Sequence, residues 1–465
     1  VAATTALWAG CADDSAATPD DGSTTGPTAS ASINPDDADG TSTTSTTGPT
    51  TSGGANEDGD TTSTGDTTTN DQTTADDGSS SDSTGAPPLP PPQKDVVFND
   101  PGAIGGGDYD DDDAVIASAL ALIDHACVPN CAGDVEIRMA VYRMTLASVW
   151  EALIAAAERG ASVEVVLDGQ EVNDTAANAL TAGLGPGAVD RCGGHEDDDA
   201  CIGVRIKPTG DAINHNKFLL VSATDDAATD IVWQSSSNAT TSQLSKANNA
   251  LIVRDDATLY ASYVEYFEDL QLGAQGMLSD SNYYDSSESS IAGDTGTRLY
   301  LFPRADENVS DGPGFLVNAE DPILTLLGNL ACAPGDRVWV AMAWWNDDRI
   351  EIANRLGELQ QAGCAVEVLL RATDEHTNPA VLSALQAGGL TTLLHVPHLH
   401  SKYVVADGTF NGRDRQLVWT GSHNFTYGAL RENDEALVRV EDPAVHAAYL
   451  ANFDALLDGH GVPPP

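Results

Sequence analysis

Two segments of the chain place a histidine and a lysine two residues apart inside an apolar run. I-N-H-N-K-F-L-L-V-S carries His215 and Lys217, and H-L-H-S-K-Y-V-V-A-D-G carries His400, Lys402 and Asp407. On a β-strand, residues two apart share a face, so an imidazole and an ammonium project together into one pocket. That pair suits phosphoryl chemistry. A neutral imidazole attacks phosphorus or moves a proton near neutral pH, and lysine holds the phosphate oxygens as charge builds. Each pair is followed at a similar distance by a Ser-x-Asn element. Q-S-S-S-N-A-T supplies Ser236 and Asn238, and G-S-H-N-F-T supplies Gly421, Ser422 and Asn424, small polar groups able to donate to a phosphate. R-E-N-D-E-A-L-V then brings Glu435 to the head of another apolar strand. Aligning A-L-I-V with A-L-V-R puts Asn249 at the corresponding place in the first copy. One His-x-Lys is common by chance; two with the same sequel point to one site built from two halves.

The elements that must position these residues also occur twice, in the alternation of apolar strands and amphipathic helices that marks an α/β chain. The first half predicts a helix over Ala114–Ala126 capped by Asp113, a strand over Val135–Val141, a helix over Leu146–Arg159 ending at Gly160, and a buried strand over Val163–Leu167. The second repeats the order with Pro322–Ala331, Val338–Ala343, Ile350–Ala362 ending at Gly363, and Val366–Leu370. A-S-V-E-V-V-L-D and C-A-V-E-V-L-L-R align without gaps. The chain therefore divides into a start at 1–11, a linker at 12–94, repeats at 95–272 and 297–460, and an inter-repeat linker at 273–296.

The pattern resembles the phospholipase D superfamily, whose signature is His-x-Lys-x4-Asp followed by a Gly/Ser and Asn element. The second copy fits throughout, and the first has Ser222 at the Asp position; the resemblance spans roughly Asp95 to Leu457. It implies a duplicated phospholipase D-like domain, with two α/β halves that each hold a central mixed sheet flanked by helices. It also implies a covalent phosphohistidine mechanism without metal or cofactor. His215 would be the nucleophile and His400 the general acid and base. Lys217, Lys402, Asp407 and Glu435 would complete the catalytic set, with Ser236, Asn238, Ser422 and Asn424 on the phosphate. Which histidine Glu435 serves stays open at this point. With both half-sites in one chain, a monomer is expected.

The chain holds 71 acids against 21 bases, a net charge of -50. That balance disfavours nonspecific nucleic-acid binding, which needs Lys and Arg on phosphates, and a broad docking patch for anionic lipid. Phospholipid headgroup hydrolysis is the expected activity. A nuclease or phosphatidyltransferase of the same superfamily, or a decayed cell-surface binding protein, are the alternatives.

V-A-A-T-T-A-L-W-A-G-C resembles the end of a bacterial lipoprotein signal, which makes Cys11 a candidate lipidation site and membrane anchor. From there to about Pro92 the chain is Ser, Thr, Asp, Gly and Pro, too poor in apolar residues to fold, and reads as a disordered tether. An exported chain, a cell-envelope lipoprotein or a secreted protein, is expected. The six remaining cysteines then read as disulfides, with local pairings Cys127–Cys131, Cys192–Cys201 and Cys332–Cys364 preferred among the fifteen connectivities six cysteines allow. The acidic runs Asp108 with Asp110–Asp113 and Glu196–Asp199 lack EF-hand spacing and read as solvated loops. Trp344, Trp345 and Asp347, with Tyr142 and Arg143 on corresponding ground, are candidates for the substrate mouth or the core. His395 and His398 read as loop residues.

Overall fold

A computed structural model describes residues 93–99, 112–127, 135–193, 200–207, 212–278, 290–304, 321–371 and 376–463. Cys11, the tether, Cys131, Asp108, Asp110, Asp111 and the run at 196–199 lie outside the described residues. The first half runs β1 (Lys94–Phe98), α1 (Ala114–His125), β2 (Glu136–Val141), α2 (Ala147–Glu158), β3 (Ser162–Leu167), α3 (Asp174–Leu184), β4 (Val189–Arg191), β5 (Lys217–Ala223), β6 (Thr229–Ser235), β7 (Asn249–Val253) and α4 (Ala257–Ala274). The second runs β8 (Ile291–Ala292), β9 (Thr297–Phe302), α5 (Pro322–Gly328), β10 (Leu330–Ala331), β11 (Arg337–Met342), α6 (Ile350–Ala362), β12 (Ala365–Arg371), α7 (Pro379–Gly388), β13 (Thr392–Val396), β14 (Lys402–Phe410), β15 (Arg413–Gly421), α8 (Tyr427–Arg431), β16 (Glu435–Glu441) and α9 (Pro443–His460).

The two sheets repeat one another. One has the order β1-β7-β6-β5-β2-β3-β4, and the other β8-β9-β16-β15-β14-β11-β12-β13, with β10 pairing onto β14. In both, the three strands of the βαβ side are parallel and the His-x-Lys strand begins an antiparallel meander. Both sheets are mixed and flanked by helices, as the sequence leads one to expect.

Strand composition explains the layering. A strand covered on both faces has no polar side to alternate with. Along β2 and β5, Ile137, Met139, Leu219 and Val221 face an outer core with α1, α2 and α3. Their neighbours Ala140, Phe218 and Leu220 face an inner core shared with the second half. That inner core holds Tyr263, Tyr266 and Phe267 of α4 and Tyr449, Phe453 and Leu456 of α9, against Trp339, Ala341, Tyr403 and Val405. Each fully buried apolar side chain contributes on the order of 1.5–3 kcal/mol. The aromatic faces of α4 and α9 thus join the halves and fix where their strand ends meet.

Three local expectations are corrected. Asp113 makes no side-chain cap; Asp112 accepts the N–H of Ala114 instead, at 2.9 Å. The second-half helix stops at Gly328, and Leu330–Ala331 form β10 against Phe410 and Thr409. His395 sits buried on β13 rather than in a loop. The disulfides Cys192–Cys201 and Cys332–Cys364 are present, and Cys127 is disulfide-bonded.

Candidate active site

The two His-x-Lys segments meet because each begins by pairing with the other half. Asn214, just before His215, bridges to Asp434, and Leu399, just before His400, bridges to Ala247. The His215 N–H donates to the Asp434 carbonyl at 3.0 Å, and the His400 N–H donates to the Ala247 carbonyl at 2.9 Å. These matched bridges relate the halves by a pseudo-two-fold in which Asp434 corresponds to Ala247 and Glu435 to Asn248.

The side chains follow the same cross-over. Nδ1 of His215 lies 2.8 Å from Oε1 of Glu435, with the two side chains 1 % and 0 % exposed. Nδ1 of His400 lies 2.9 Å from Oδ1 of Asn248. A carboxylate accepting from Nδ1 fixes the tautomer that leaves Nε2 with its lone pair and stabilises the cation that later forms. Glu435 therefore serves the histidine of the opposite half. Lys217 Nζ donates to the His215 carbonyl at 2.7 Å, and Lys402 Nζ to the His400 carbonyl at 3.0 Å. All four His and Lys side chains are buried, so their electrostatics act in a medium poor in water.

The counterpart of Glu435 is thus Asn248, and not Asn249 as the A-L-I-V alignment puts it. The Ser236 N–H donates to the Asn249 carbonyl and the Ser422 N–H to the Ala436 carbonyl, each at 3.0 Å, which aligns Asn249 with Ala436. Strand periodicity is two, so this one-residue shift turns Asn249 away from His400. Its amide instead donates to Thr420 Oγ1 at 2.7 Å and to Tyr449 OH at 3.1 Å.

Asp407 is not brought to the pair. It lies five residues along β14 from Lys402, about 16 Å at the rise of a strand, opposite Arg337 and Gln416. The serines are also engaged elsewhere. Ser236 Oγ donates to Asn248 Oδ1 at 3.0 Å and accepts the Asn249 N–H at 3.0 Å. Ser422 Oγ accepts the Ala436 N–H at 3.2 Å. Both hydroxyls brace the heads of β7 and β16. Asn238 and Asn424 are buried, and Oδ1 of each has no hydrogen-bond partner, which leaves each amide spare polar capacity.

Several supporting residues carry no motif. Asp434 accepts the N–H groups of Cys201 and Gly203 at 2.7 Å and of Ile202 at 3.1 Å. Glu432 accepts those of Ile206 and Lys207 at 2.9 and 2.7 Å. One first-half loop, tied by Cys192–Cys201, is thereby fastened to the segment that carries Glu435. Asp168 Oδ2 accepts the Asn214 N–H at 2.9 Å and holds the approach to His215. Arg349 donates to both oxygens of Asp321, to the Asn424 carbonyl at 2.9 Å and to His423 Nε2 at 2.7 Å. Burial pushes His423 well below the usual histidine range, and Arg349, Arg304 and His215 add to the shift. A neutral His423 is what an arginine donor requires.

The mouth candidates divide. The Tyr142 ring lies edge-on to His215 with centroids 5.3 Å apart, and Arg143 stacks over Tyr142 while donating to Gln170. At the position matching Arg143, Trp344 packs on His376 with centroids 4.7 Å apart. Trp345 is a core residue, edge-on to Phe425, and Asp347 is exposed. Among the described residues, one group with metal-ligand proximity is Cys192, Cys201 and Asp434. It is ruled out as a thiolate site because the two sulfurs are bonded to each other.

Fold and site together define a duplicated α/β protein with two buried His-Lys pairs, each histidine partnered by the opposite half. A family model described as "Cardiolipin synthase, PLD-like domain" matches residues 130–271 and 328–457, more than half of the chain. The chain belongs to this phospholipase D-like family. It is 27% identical over 115 residues to the mitochondrial cardiolipin hydrolase of Chlamydomonas reinhardtii, a stretch covering 24% of this chain and 47% of that protein. The chain thus spans about half the length of this curated relative. Among solved structures, phosphatidylserine synthase of Haemophilus influenzae aligns over 79% of this chain and 86% of its own, with 12% identity and TM-score 0.49. Polyphosphate kinase of Porphyromonas gingivalis aligns over 77% and 46%, with 15% identity and TM-score 0.48. Nuc of Salmonella typhimurium aligns over 38% and 91%, with 20% identity and TM-score 0.26.

Proposed function

We propose that the chain is a phospholipase D-type phosphodiesterase that hydrolyses phospholipid headgroups through a phosphohistidine on His215. The observation that carries this reading is the buried Glu435 carboxylate on Nδ1 of His215, 2.8 Å away. With the proton held on Nδ1, the Nε2 lone pair forms the N–P bond while the P–O bond to the headgroup alcohol breaks. His400, protonated at Nε2, gives its proton to the departing alcohol. Water then gives a proton to His400 and its oxygen to phosphorus, and the N–P bond breaks to restore His215. Lys217 and Lys402 neutralise the phosphoryl oxygens as charge builds.

Lipid is favoured over nucleic acid by the net charge of -50, which repels a long polyanion before it reaches the site. The disulfides Cys192–Cys201 and Cys332–Cys364 suit an oxidising compartment, and an envelope location anchored through Cys11 is part of the proposal. The test follows choline or ethanolamine release from phospholipid vesicles alongside nicking of plasmid DNA. His215→Ala and His400→Ala should each abolish headgroup release. With bis(p-nitrophenyl) phosphate, whose leaving group needs no proton, His400→Ala should accumulate a phosphoryl adduct on His215, seen by mass spectrometry, that His215→Ala does not form. Full activity in either variant, or DNA cleavage without headgroup release, overturns the proposal.

A further inference from the structure

The two half-sites are related by a pseudo-two-fold, yet the group on Nδ1 differs between them: a carboxylate at His215 and an amide at His400. We infer that Asn248 is a positioning residue for His400, locking its ring tautomer without supplying a charge, so that His400 gives up a proton more readily than it would beside a carboxylate. The inference rests on the phosphodiesterase reading, in which His400 protonates the leaving alcohol.

The amide cannot turn round where it stands. Its Nδ2 donates to the Gln243 carbonyl at 3.1 Å and to Gln243 Oε1 at 3.0 Å. A backbone carbonyl only accepts, so Nδ2 is committed to that side and Oδ1 must face His400. Ser236 Oγ donates to the same Oδ1 at 3.0 Å and helps fix it. Oδ1 only accepts, so Nδ1 of His400 carries a proton and Nε2 is the atom that exchanges one with the substrate.

The charged groups around His400 reinforce this character. Lys402 Nζ, at the head of β14, is 3.4 Å from Nδ1. Glu435 is spent on His215. The adjacent Lys402 ammonium and a neutral partner both disfavour an imidazolium, whereas a carboxylate at Nδ1 would favour it. An acid that gives up its proton readily suits an alkoxide leaving group, which departs poorly without one.

The experiment compares two leaving groups in the full chain. Phosphatidylcholine releases an alcohol that needs a proton, and bis(p-nitrophenyl) phosphate releases a phenolate that does not. Asn248→Asp should move the high-pH limb for phosphatidylcholine upward by about one pH unit or more and leave the nitrophenyl limb in place. Nitrogen-15 NMR of the labelled imidazoles, with His400 assigned through His400→Gln, should show its midpoint rising in Asn248→Asp. The new carboxylate would face the Gln243 carbonyl at a cost in stability, so Asn248→Ala gives a second reading. It should mix the two His400 tautomers and slow phosphatidylcholine turnover more than nitrophenyl turnover. An unmoved limb and midpoint in Asn248→Asp, or an unchanged tautomer in Asn248→Ala, overturns the role of Asn248. If the unaltered chain turns over neither substrate, the phosphodiesterase reading fails, and the NMR arm still decides whether the amide holds His400.

Discussion

Glu435 Oε1 and His215 Nδ1 are 2.8 Å apart although 220 residues separate them in the chain. The contact crosses from the second repeat to the first, so neither repeat alone holds a complete reactive histidine. Two facts follow from it: His215 is oriented by a residue outside its own motif, and anything that moves the head of β16 moves the site.

Replacing Glu435 by Gln keeps an acceptor of the same shape and removes its charge. In the comparable hydrogen bond of a Ser-His-Asp triad, that change lowers kcat by about 10⁴. We expect Glu435→Gln to lower kcat for phospholipid by about 10²–10⁴, with circular dichroism unchanged. A loss smaller than tenfold would show that the carboxylate is not what activates His215.

The neighbour Asp434 has a structural part to play. It is fully buried and its carboxylate takes the backbone N–H groups of Cys201, Ile202 and Gly203. Truncation strands those donors in the interior, at about 1–3 kcal/mol for each group left unsatisfied. Asp434→Ala should lower stability by roughly 2–5 kcal/mol in urea titrations. Activity should fall in the same samples even where the chain is folded, because the His215 N–H is held by the carbonyl of this residue. A denaturation midpoint equal to that of the unaltered chain would refute the anchor.

Gly421 ends β15, where a Cβ would sit 2.1 Å from the Ala436 carbonyl oxygen and 2.9 Å from the Leu437 Cα. Both obstacles are backbone of β16, so the strand and Glu435 with it must shift. Gly421→Ala should cost at least about 2 kcal/mol and abolish most turnover. Gly459→Ala is the control, since nothing lies within 4 Å of a Cβ there; it should be neutral or stabilising, by up to about 1 kcal/mol. Equal melting curves and rates for the two variants would disprove the close approach.

What the sequence revealed and what it hid have different physical origins. The two His-x-Lys pairs, the duplicated α/β order and two disulfides were readable because each is local: a period, a spacing or a nearby cysteine. The partner of each histidine was not, because it comes from the other repeat. Asn249 looked like the match for Glu435 because the apolar residues behind it align. The true register is set by Ser236 and Ser422 donating to Asn249 and Ala436, a backbone relation with no side-chain signature. Asp407 fits its motif but points chemistry nowhere near Lys402, since five strand residues carry it away. Asp168, Asp321, Arg349 and Asp434 had no motif at all, and only their burial with partners distant in sequence sets them apart from surface charges.

One buried histidine makes stability depend on pH. His423 is held well below the ordinary histidine range by burial first, then by Arg349, Arg304 and His215. Unfolding returns it to about 6.5. A group depressed in the folded state contributes fully above its unfolded value, and that contribution is lost as pH falls below it. Below about pH 6.5 the unfolded chain takes up a proton that the folded chain refuses, so stability declines by up to about 1.4 kcal/mol per pH unit for this group. His398 and His446, lowered by burial as well, act in the same direction, so the decline belongs to more than one histidine. His423→Gln keeps an acceptor for Arg349 and does not titrate. Urea unfolding at intervals from pH 7.5 to 5 should therefore show a shallower fall in His423→Gln than in the unaltered chain, the two curves diverging only below about pH 6.5. Parallel curves across that window would mean that His423 gains its proton as readily folded as unfolded, and that Arg349 does not donate to it.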